Sequence, residues 1–287
     1  MQVIITIPAY NEEKTIALVI NSIKKVMLKT KYDYKIFIVD DGSTDNTAKT
    51  AKKEGAIVYS HQTNHGLAEA FRTEVKKCLE MKADVIVHTD ADGQYHAEDI
   101  PLLLKEVENG YDLVLGSRFL GIIEEMPWLK KIGNKAFSKV ISNIINYEVT
   151  DCQTGFRAFT SKLAEKIEIK STHTYTQEQI IRAVREKFKI KEVPIYFAKR
   201  KDGKSRLLKN PFEYAIKAWI NIMRIYRDYE PLKFFGRIGV FFIGIGLILG
   251  LRLVYFFIKT GKVGHIPTTV LTMLLILTGI QIIIFGF

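Results

Sequence analysis

Apolar residues recur along this chain with two different periods, and their alternation predicts a layered α/β fold. Short runs rich in Ile and Val at 3–7, 35–39, 56–59, 85–89 and 113–116 read as strands. Between them, 12–27, 44–54, 67–81 and 98–108 carry helical spacing, with Asn11 placed to cap the first helix and Gly55 to close the second. Strand and helix in regular turn imply a mostly parallel, Rossmann-like sheet with helices on both faces. Ligands of such sheets bind beyond the carboxyl ends of the strands.

Towards the C-terminus the pattern changes. Over 128–146, Trp128, Ile132, Phe137, Val140, Ile141 and Ile144 gather largely on one helical face, with Lys130, Lys131, Lys135 and Lys139 elsewhere. That is a basic amphipathic helix of interfacial type. Residues 212–229 repeat the theme with Tyr214, Trp219, Ile222 and Ile225, before Pro231 breaks the helix. Two apolar segments follow, 238–258 and 266–287, each long enough to cross a hydrocarbon core as a transmembrane helix. Arg237 and Arg252 sit near the two ends of the first, where long side chains reach the interface. The expected division is a catalytic domain over 1–209, an interfacial helix over 210–231 and a membrane domain over 232–287.

Charge adds orientation. The chain carries a net +11, and Lys199, Arg200, Lys201, Lys204, Arg206, Lys209, Arg224 and Arg227 crowd the stretch before the first span. The turn between the spans holds only Lys259, Lys262 and His265. This positive bias puts the N-terminal part on the cytoplasmic face. It favours anionic lipid and a phosphorylated small substrate over nucleic acid as partners. The strand pattern begins at Gln2, which leaves no room for a signal peptide ahead of it. Cys78 and Cys152 lack metal-ligand spacing and fit a reducing compartment.

The candidate chemistry collects at three strand ends. Asp90-Ala91-Asp92-Gly93-Gln94 follows the fourth strand, and alternate carboxylates there converge on one hard cation, Mg²⁺ or Mn²⁺, that takes its other ligands from water and phosphate. Gly93 allows the sharp turn. Asp40-Asp41-Gly42-Ser43 ends the second strand, and Pro8-Ala9-Tyr10-Asn11-Glu12-Glu13 ends the first.

These three clusters, in this order, resemble the inverting family 2 glycosyltransferases with a GT-A nucleotide-sugar fold. Gly116-Ser117-Arg118, Thr154-Gly155-Phe156-Arg157-Ala158-Phe159 and the stretch 200–205 are similar to the dolichyl- or polyprenyl-phosphate sugar synthases, which include the dolichyl-phosphate mannose synthases. The resemblance implies a nucleotide-diphosphate sugar donor, GDP-mannose favoured over UDP-glucose or UDP-N-acetylglucosamine, and a polyprenyl phosphate acceptor. Pro8, Tyr10 and Glu12 would line the nucleoside pocket, with Asp40 or Asp41 accepting a base N–H or a ribose hydroxyl. Asp90 and Asp92 would hold the metal against the diphosphate beside Ala91, and Gln94 would add an amide oxygen or a sugar contact. Arg118, Arg157, Arg200 and Lys204, with the Ser205 hydroxyl, are the expected phosphate-neutralising groups; Asp92, Arg118 and Arg200 are the expected catalytic residues. A lipid phosphate is already an anion near neutral pH, so the acceptor serves as its own nucleophile.

Other patterns point elsewhere and carry less. Residues 198–205 loosely match a Walker A loop but begin with Ala198 in place of Gly, and Pro211 follows soon after. Gln179-Ile-Ile-Arg182-Ala183 is close to the Gln-X-X-Arg-Trp signature of processive polysaccharide synthases, with Ala183 in place of the Trp. Glu178 reads as a helix-surface acid, and His65 and His88 as donor-pocket or strand-end packing groups. His96 adjoins the acidic loop. A non-catalytic membrane scaffold is the rival reading, which the retained acids at 41, 90 and 92 disfavour.

Overall fold

The structure, a computed structural model, describes residues 1–171, 175–199, 211–262 and 266–287. It divides into two compact units, Met1–Lys209 and Asn210–Phe287. Strand β1 (Gln2–Ala9) explains the centre of the first. Its residues 3–6 and Ile7 are of a kind, nearly all apolar and β-branched, and five in a row are buried, as a strand covered on both faces requires. It runs parallel to β2 (Asp33–Asp40) on one side and to β4 (Val85–His88) on the other, and β3 (Ile57–Ser60) lies parallel beyond β2. Helices α1 (Ile16–Met27), α2 (Thr47–Lys53), α3 (Leu67–Glu80) and α4 (Ile100–Glu108) make the crossovers. Ile16, Val19, Ile20, Ile23 and Met27 form the buried stripe of α1.

The second half of the sheet departs from the simple repeat. Strand β5 (Leu113–Ile123) is followed by α5 (Trp128–Ile145), β6 (Arg157–Thr160), α6 (Ser161–Lys166), α7 (Thr176–Arg185) and β7 (Ile190–Phe197). The seven strands lie in the order β3-β2-β1-β4-β6-β5-β7. Strand β6 is antiparallel to both of its neighbours, whereas β5 and β7 are parallel. The expected mostly parallel α/β sheet is therefore present, with one reversed strand inserted beside β4. Strand β5 is longer than its sequence pattern suggests, because a register shift between Ser117 and Ile122 lets it resume pairing with β7. Gly121 makes this possible: a Cβ there would stand 1.9 Å from the Ile195 carbonyl oxygen.

One local expectation fails. Asn11 does not cap a helix beginning at 12; it adopts a left-handed φ of 55°, and α1 starts only at Ile16. Its side-chain oxygen accepts from the Thr44 N–H at 2.8 Å, and its own N–H donates to Ser43 Oγ at 2.9 Å. Asn11 thus fastens the loop after β1 to the loop after β2.

The second unit consists of α8 (Pro211–Tyr229), α9 (Pro231–Thr260) and α10 (Ile266–Ile284). Pro231 opens α9 at the first helical turn, where its missing N–H has no intrahelical partner to lose. Both α9 and α10 are long and apolar enough to cross a membrane, and few of their residues are buried. They pack closely through glycines: a Cβ on Gly239 would lie 2.5 Å from the Gly279 carbonyl oxygen, and one on Gly246 would lie 2.7 Å from the Ile276 side chain.

Candidate active site

Parallel strands β2, β1 and β4 end side by side, so the loops after Asp40, Ala9 and His88 meet along one edge of the sheet. The first two loops are cross-linked. The Glu12 N–H donates to Thr47 Oγ1 at 2.8 Å, and Glu13 Oε2 accepts from the Asn46 N–H at 3.1 Å. Pro8 is half-buried at the end of β1, and Tyr10 and Glu12 follow it with Tyr10 exposed. Asp40 and Asp41 are both buried. Asp40 Oδ1 accepts from the Ser43 N–H at 3.1 Å. Asp41 holds a loop: its carboxylate accepts from the His65 N–H at 2.9 Å and the Gly66 N–H at 2.8 Å, and stands 2.7 Å from His61 Nδ1. His61 Nε2 lies 3.0 Å from Thr73 Oγ1 on α3. Gly42 closes the turn, because a Cβ there would stand 2.5 Å from the Thr63 backbone.

The acidic loop leaves β4 beneath these. The Gln94 N–H donates to Asp92 Oδ1 at 3.0 Å, which curls the loop, and Gly93 supplies the positive φ of 72°. Gln94 Nε2 donates to the Ala198 carbonyl at 3.1 Å and the Ala198 N–H returns to the Gln94 carbonyl, fastening the loop to the end of β7. Asp90 is ringed by protein yet keeps 39 % of its side-chain surface open. Gly155 backs it so closely that a Cβ would stand 3.0 Å from Oδ1. Burial first, and then the neighbouring charge of Asp92, push the Asp90 carboxyl up to about 6. Among the described residues no three His, Cys, Asp or Glu side chains gather into a metal cage. The donors here are two carboxylates and an amide, all hard oxygens, and the Asp90 carboxylate is crowded by burial and by the charge of Asp92. Such a set fits Mg²⁺ or Mn²⁺ completed by water and phosphate.

The arginines take other positions than open phosphate ligands would. Arg118 is buried and forked onto Asp151, with Nε 2.6 Å from Oδ2 and Nη2 2.8 Å from Oδ1. Burial opposes its charge, but Tyr95, Asp151 and Asp90 more than offset this and hold its pKa above the ordinary value. Asp151 is held in turn by Glu192 on β7, whose carboxylate accepts the Asp151 N–H at 3.0 Å. Arg157 is fully buried on β6. It donates to the carbonyls of Thr154 and Thr176 and to Gln179 Oε1, and burial lowers its pKa. Its side chain therefore braces the 154–157 turn against α7 and does not reach an open phosphate site. Arg200, Lys204 and Ser205, with the rest of the Walker-like stretch beyond Lys199, lie outside the described residues.

The structure also places the remaining candidates. Glu178 is not a surface acid: it is 4 % exposed and accepts from the N–H groups of Lys170 and Ser171 and from Arg182 Nε. Gln179 serves Arg157, which explains the polysaccharide-synthase likeness without a channel. His96 stacks on Tyr196 with ring centroids 4.5 Å apart, and His88 is buried at its strand end. Sequence reasoning passed over His61, Glu74 and Tyr175. Glu74 had a signal: it lies on the buried face of α3 with Phe71 and Cys78, where an acid is out of pattern.

A mostly parallel sheet with helices packed on it and an acidic loop beyond its central strands is a GT-A-like architecture. Residues 4–168 match Glycosyl transferase family 2, and the chain belongs to that family of glycosyltransferases. It is similar to the UDP-N-acetylglucosamine–dolichyl-phosphate N-acetylglucosaminyltransferase of Methanococcus voltae, 37 % identical over 66 % of this chain and 82 % of that one. It is also 27 % identical to the dolichol-phosphate mannosyltransferase of Pyrococcus furiosus over 96 % of this chain and 78 % of that one. Among solved structures, the glucosyl-3-phosphoglycerate synthase of Mycobacterium tuberculosis in complex with Mn²⁺, UDP-glucose and phosphoglyceric acid shares the GT-A fold, with a TM-score of 0.59 at 19 % identity, covering 77 % of this chain and 79 % of that one.

Proposed function

We propose that this glycosyltransferase moves one hexose from a nucleotide-diphosphate sugar to a dolichyl or polyprenyl phosphate, with inversion at the anomeric carbon. The observation that carries the reading is the Asp90–Asp92 pair, two carboxylates one residue apart beyond a strand end, the arrangement through which a dication would be held against a diphosphate. The two lipid-phosphate sugar transferases among its relatives supply the acceptor class. Asp90, Asp92 and Gln94 would hold Mg²⁺ or Mn²⁺ beside Ala91, and the ion when bound neutralises charge on the departing diphosphate. Pro8, Tyr10, Glu12 and the Asp40–Asp41 turn would line the nucleoside pocket, with Asp41 also keeping the 61–66 loop in place.

The acceptor phosphate has a second pKa of about 6, so it attacks as a dianion without a protein base. Arg118, neutralised by Asp151, would brace the wall of the site, and Arg200, Lys204 and Ser205 remain the candidates for direct contact with the acceptor. Domains over 1–209, 210–231 and 232–287 would then be catalytic, interfacial and membrane-spanning, with catalysis on the cytoplasmic face.

The sequence resemblance favours GDP-mannose; the name of the 37 %-identical relative favours UDP-N-acetylglucosamine as a second reading. Membranes containing the chain, incubated with polyprenyl phosphate, Mn²⁺ and each radiolabelled nucleotide sugar in turn, test both. Label should enter the lipid phase from one donor, in a mild-acid-labile linkage. Entry from none refutes the acceptor.

A further inference from the structure

Three buried polar side chains stand behind the acidic loop and take no part in the chemistry derived above. Glu74 comes from α3, His88 ends β4, and Tyr175 precedes α7. Glu74 and His88 keep no accessible surface, and Tyr175 keeps 1 %. Glu74 Oε2 lies 2.7 Å from His88 Nδ1, and the Tyr175 hydroxyl lies 2.6 Å from His88 Nε2. The same Nε2 is 3.9 Å from Asp90 Oδ1. Tyr175 stacks flat on Phe71, centroids 3.8 Å apart, and the Arg157 guanidinium lies 5.1 Å from its ring centre.

Sheet stability does not account for this line. Taking ionisable groups out of water is costly, and apolar side chains of similar volume commonly do as well or better. Glu74 is moreover incompletely used as a structural acid, because its Oε1 is buried without a hydrogen-bond partner. What sets the line apart is where it ends, against a carboxylate of the acidic loop. Groups behind a metal-binding side chain fix its orientation and its charge balance, and their loss weakens metal binding by about ten- to a hundredfold.

We propose that Glu74, His88 and Tyr175 are positioning residues that fix the Asp90 carboxylate for a divalent cation. This rests on the reading of Asp90 and Asp92 as the metal-holding pair. Glu74 sets the plane of the imidazole, the Tyr175 hydroxyl holds Nε2, and the ring edge so fixed stands 3.9 Å behind Asp90 Oδ1. Tyr175, clamped between Phe71 and Arg157, stops the ring from turning away.

The test is Mn²⁺ titration of the full chain in detergent, without donor or acceptor, followed by loss of the free-ion paramagnetic resonance signal. The parent should bind and Asp92→Asn should not. Glu74→Gln and His88→Asn should weaken binding by about tenfold or more. Tyr175→Phe, which keeps the stacked ring, should weaken it by about threefold. At saturating Mn²⁺, kcat should return close to the parent value with KM for the lipid acceptor unchanged, a split that general loss of structure would not give. If the parent binds, Asp92→Asn does not, and the folded variants bind like the parent, the inference is overturned while the metal reading stands. If the parent binds no Mn²⁺, both fall. Should Glu74→Gln and His88→Asn fail to fold, Tyr175→Phe decides alone.

Discussion

Replacing Asp90 by Asn separates the cost of this carboxylate in the free protein from its value in the loaded one. Its pKa rises from the model-peptide value of 3.8 to about 6 on folding. Two units correspond to roughly 3 kcal/mol at full strength, but the side chain is 39 % exposed, and screening by solvent reduces this to about 1 kcal/mol. Because the folded state holds the proton more tightly, the stability tied to Asp90 is fully present below about pH 4. It is lost as pH rises through about 6. At pH 7.5, with metal chelated, Asp90→Asn should therefore melt about 2–4 °C above the parent, and at pH 4 the two should coincide. Scanning calorimetry of the full chain in detergent reads both. At pH 7.5 a thiol-reactive dye gives a second signal from the first unit, since Cys78 and Cys152 are both buried there and burial pushes the Cys152 thiol up to about 12. Adding Mn²⁺ with a nucleoside diphosphate should reverse the order, stabilising the parent and leaving the variant unmoved. A variant that is no more stable than the parent in chelator at pH 7.5 would refute the argument that this acid is under-compensated.

Four other substitutions probe separate parts of the structure. Asp92→Asn should abolish metal-dependent sugar transfer while the melting profile stays within a few degrees of the parent; full activity would remove the metal from the mechanism. Asp151→Ala strands the buried Arg118 guanidinium and should cost about 3–5 kcal/mol, seen as a collapse of the first unit's melting temperature. His61→Phe takes a partner from Asp41 and should raise KM for the donor severalfold with little change in kcat, measured by initial rates at saturating acceptor. Gly121→Ala puts a Cβ into the Ile195 backbone and should prevent β5 from resuming its pairing, so that folded protein recovered in detergent is lost on expression.

How far each feature was legible in the sequence depended on how local its cause was. Strand β1 announces itself because five consecutive buried positions need no partner to be recognised. The acidic loop and the Asp40–Asp41 turn are short-range signals placed at strand ends. Strand β6 is only Arg157-Ala158-Phe159-Thr160, too short for any period, and β7 contains Pro194, which reads as a breaker but is tolerated on an edge strand. The partners of Arg118 and Arg157 were hidden for a different reason. Arginine as a residue type suits phosphate, but what each one binds depends on which distant acid or carbonyl the fold brings to it. Asp151 lies 33 residues from Arg118, and Gln179 22 residues from Arg157. Asn11 could cap a helix or, in a left-handed turn, bridge two loops; only the neighbouring β2 loop decides.

The reversed strand β6 has a consequence for how the protein comes into being. A ribosome delivers the chain from its N-terminus, so β1 to β5 emerge before the strand that separates β4 from β5. Until residues 157–160 arrive, the edge of β4 from Val85 to His88 is unpaired, and neither Gly155 nor Tyr175 is in place around Asp90. A nascent chain therefore carries the acids of its site long before it has the site. The acidic loop is completed only by a late, long-range strand insertion, the slow kind of folding step. The interval before it, with an open sheet edge displayed, is when the polypeptide is most exposed to aggregation.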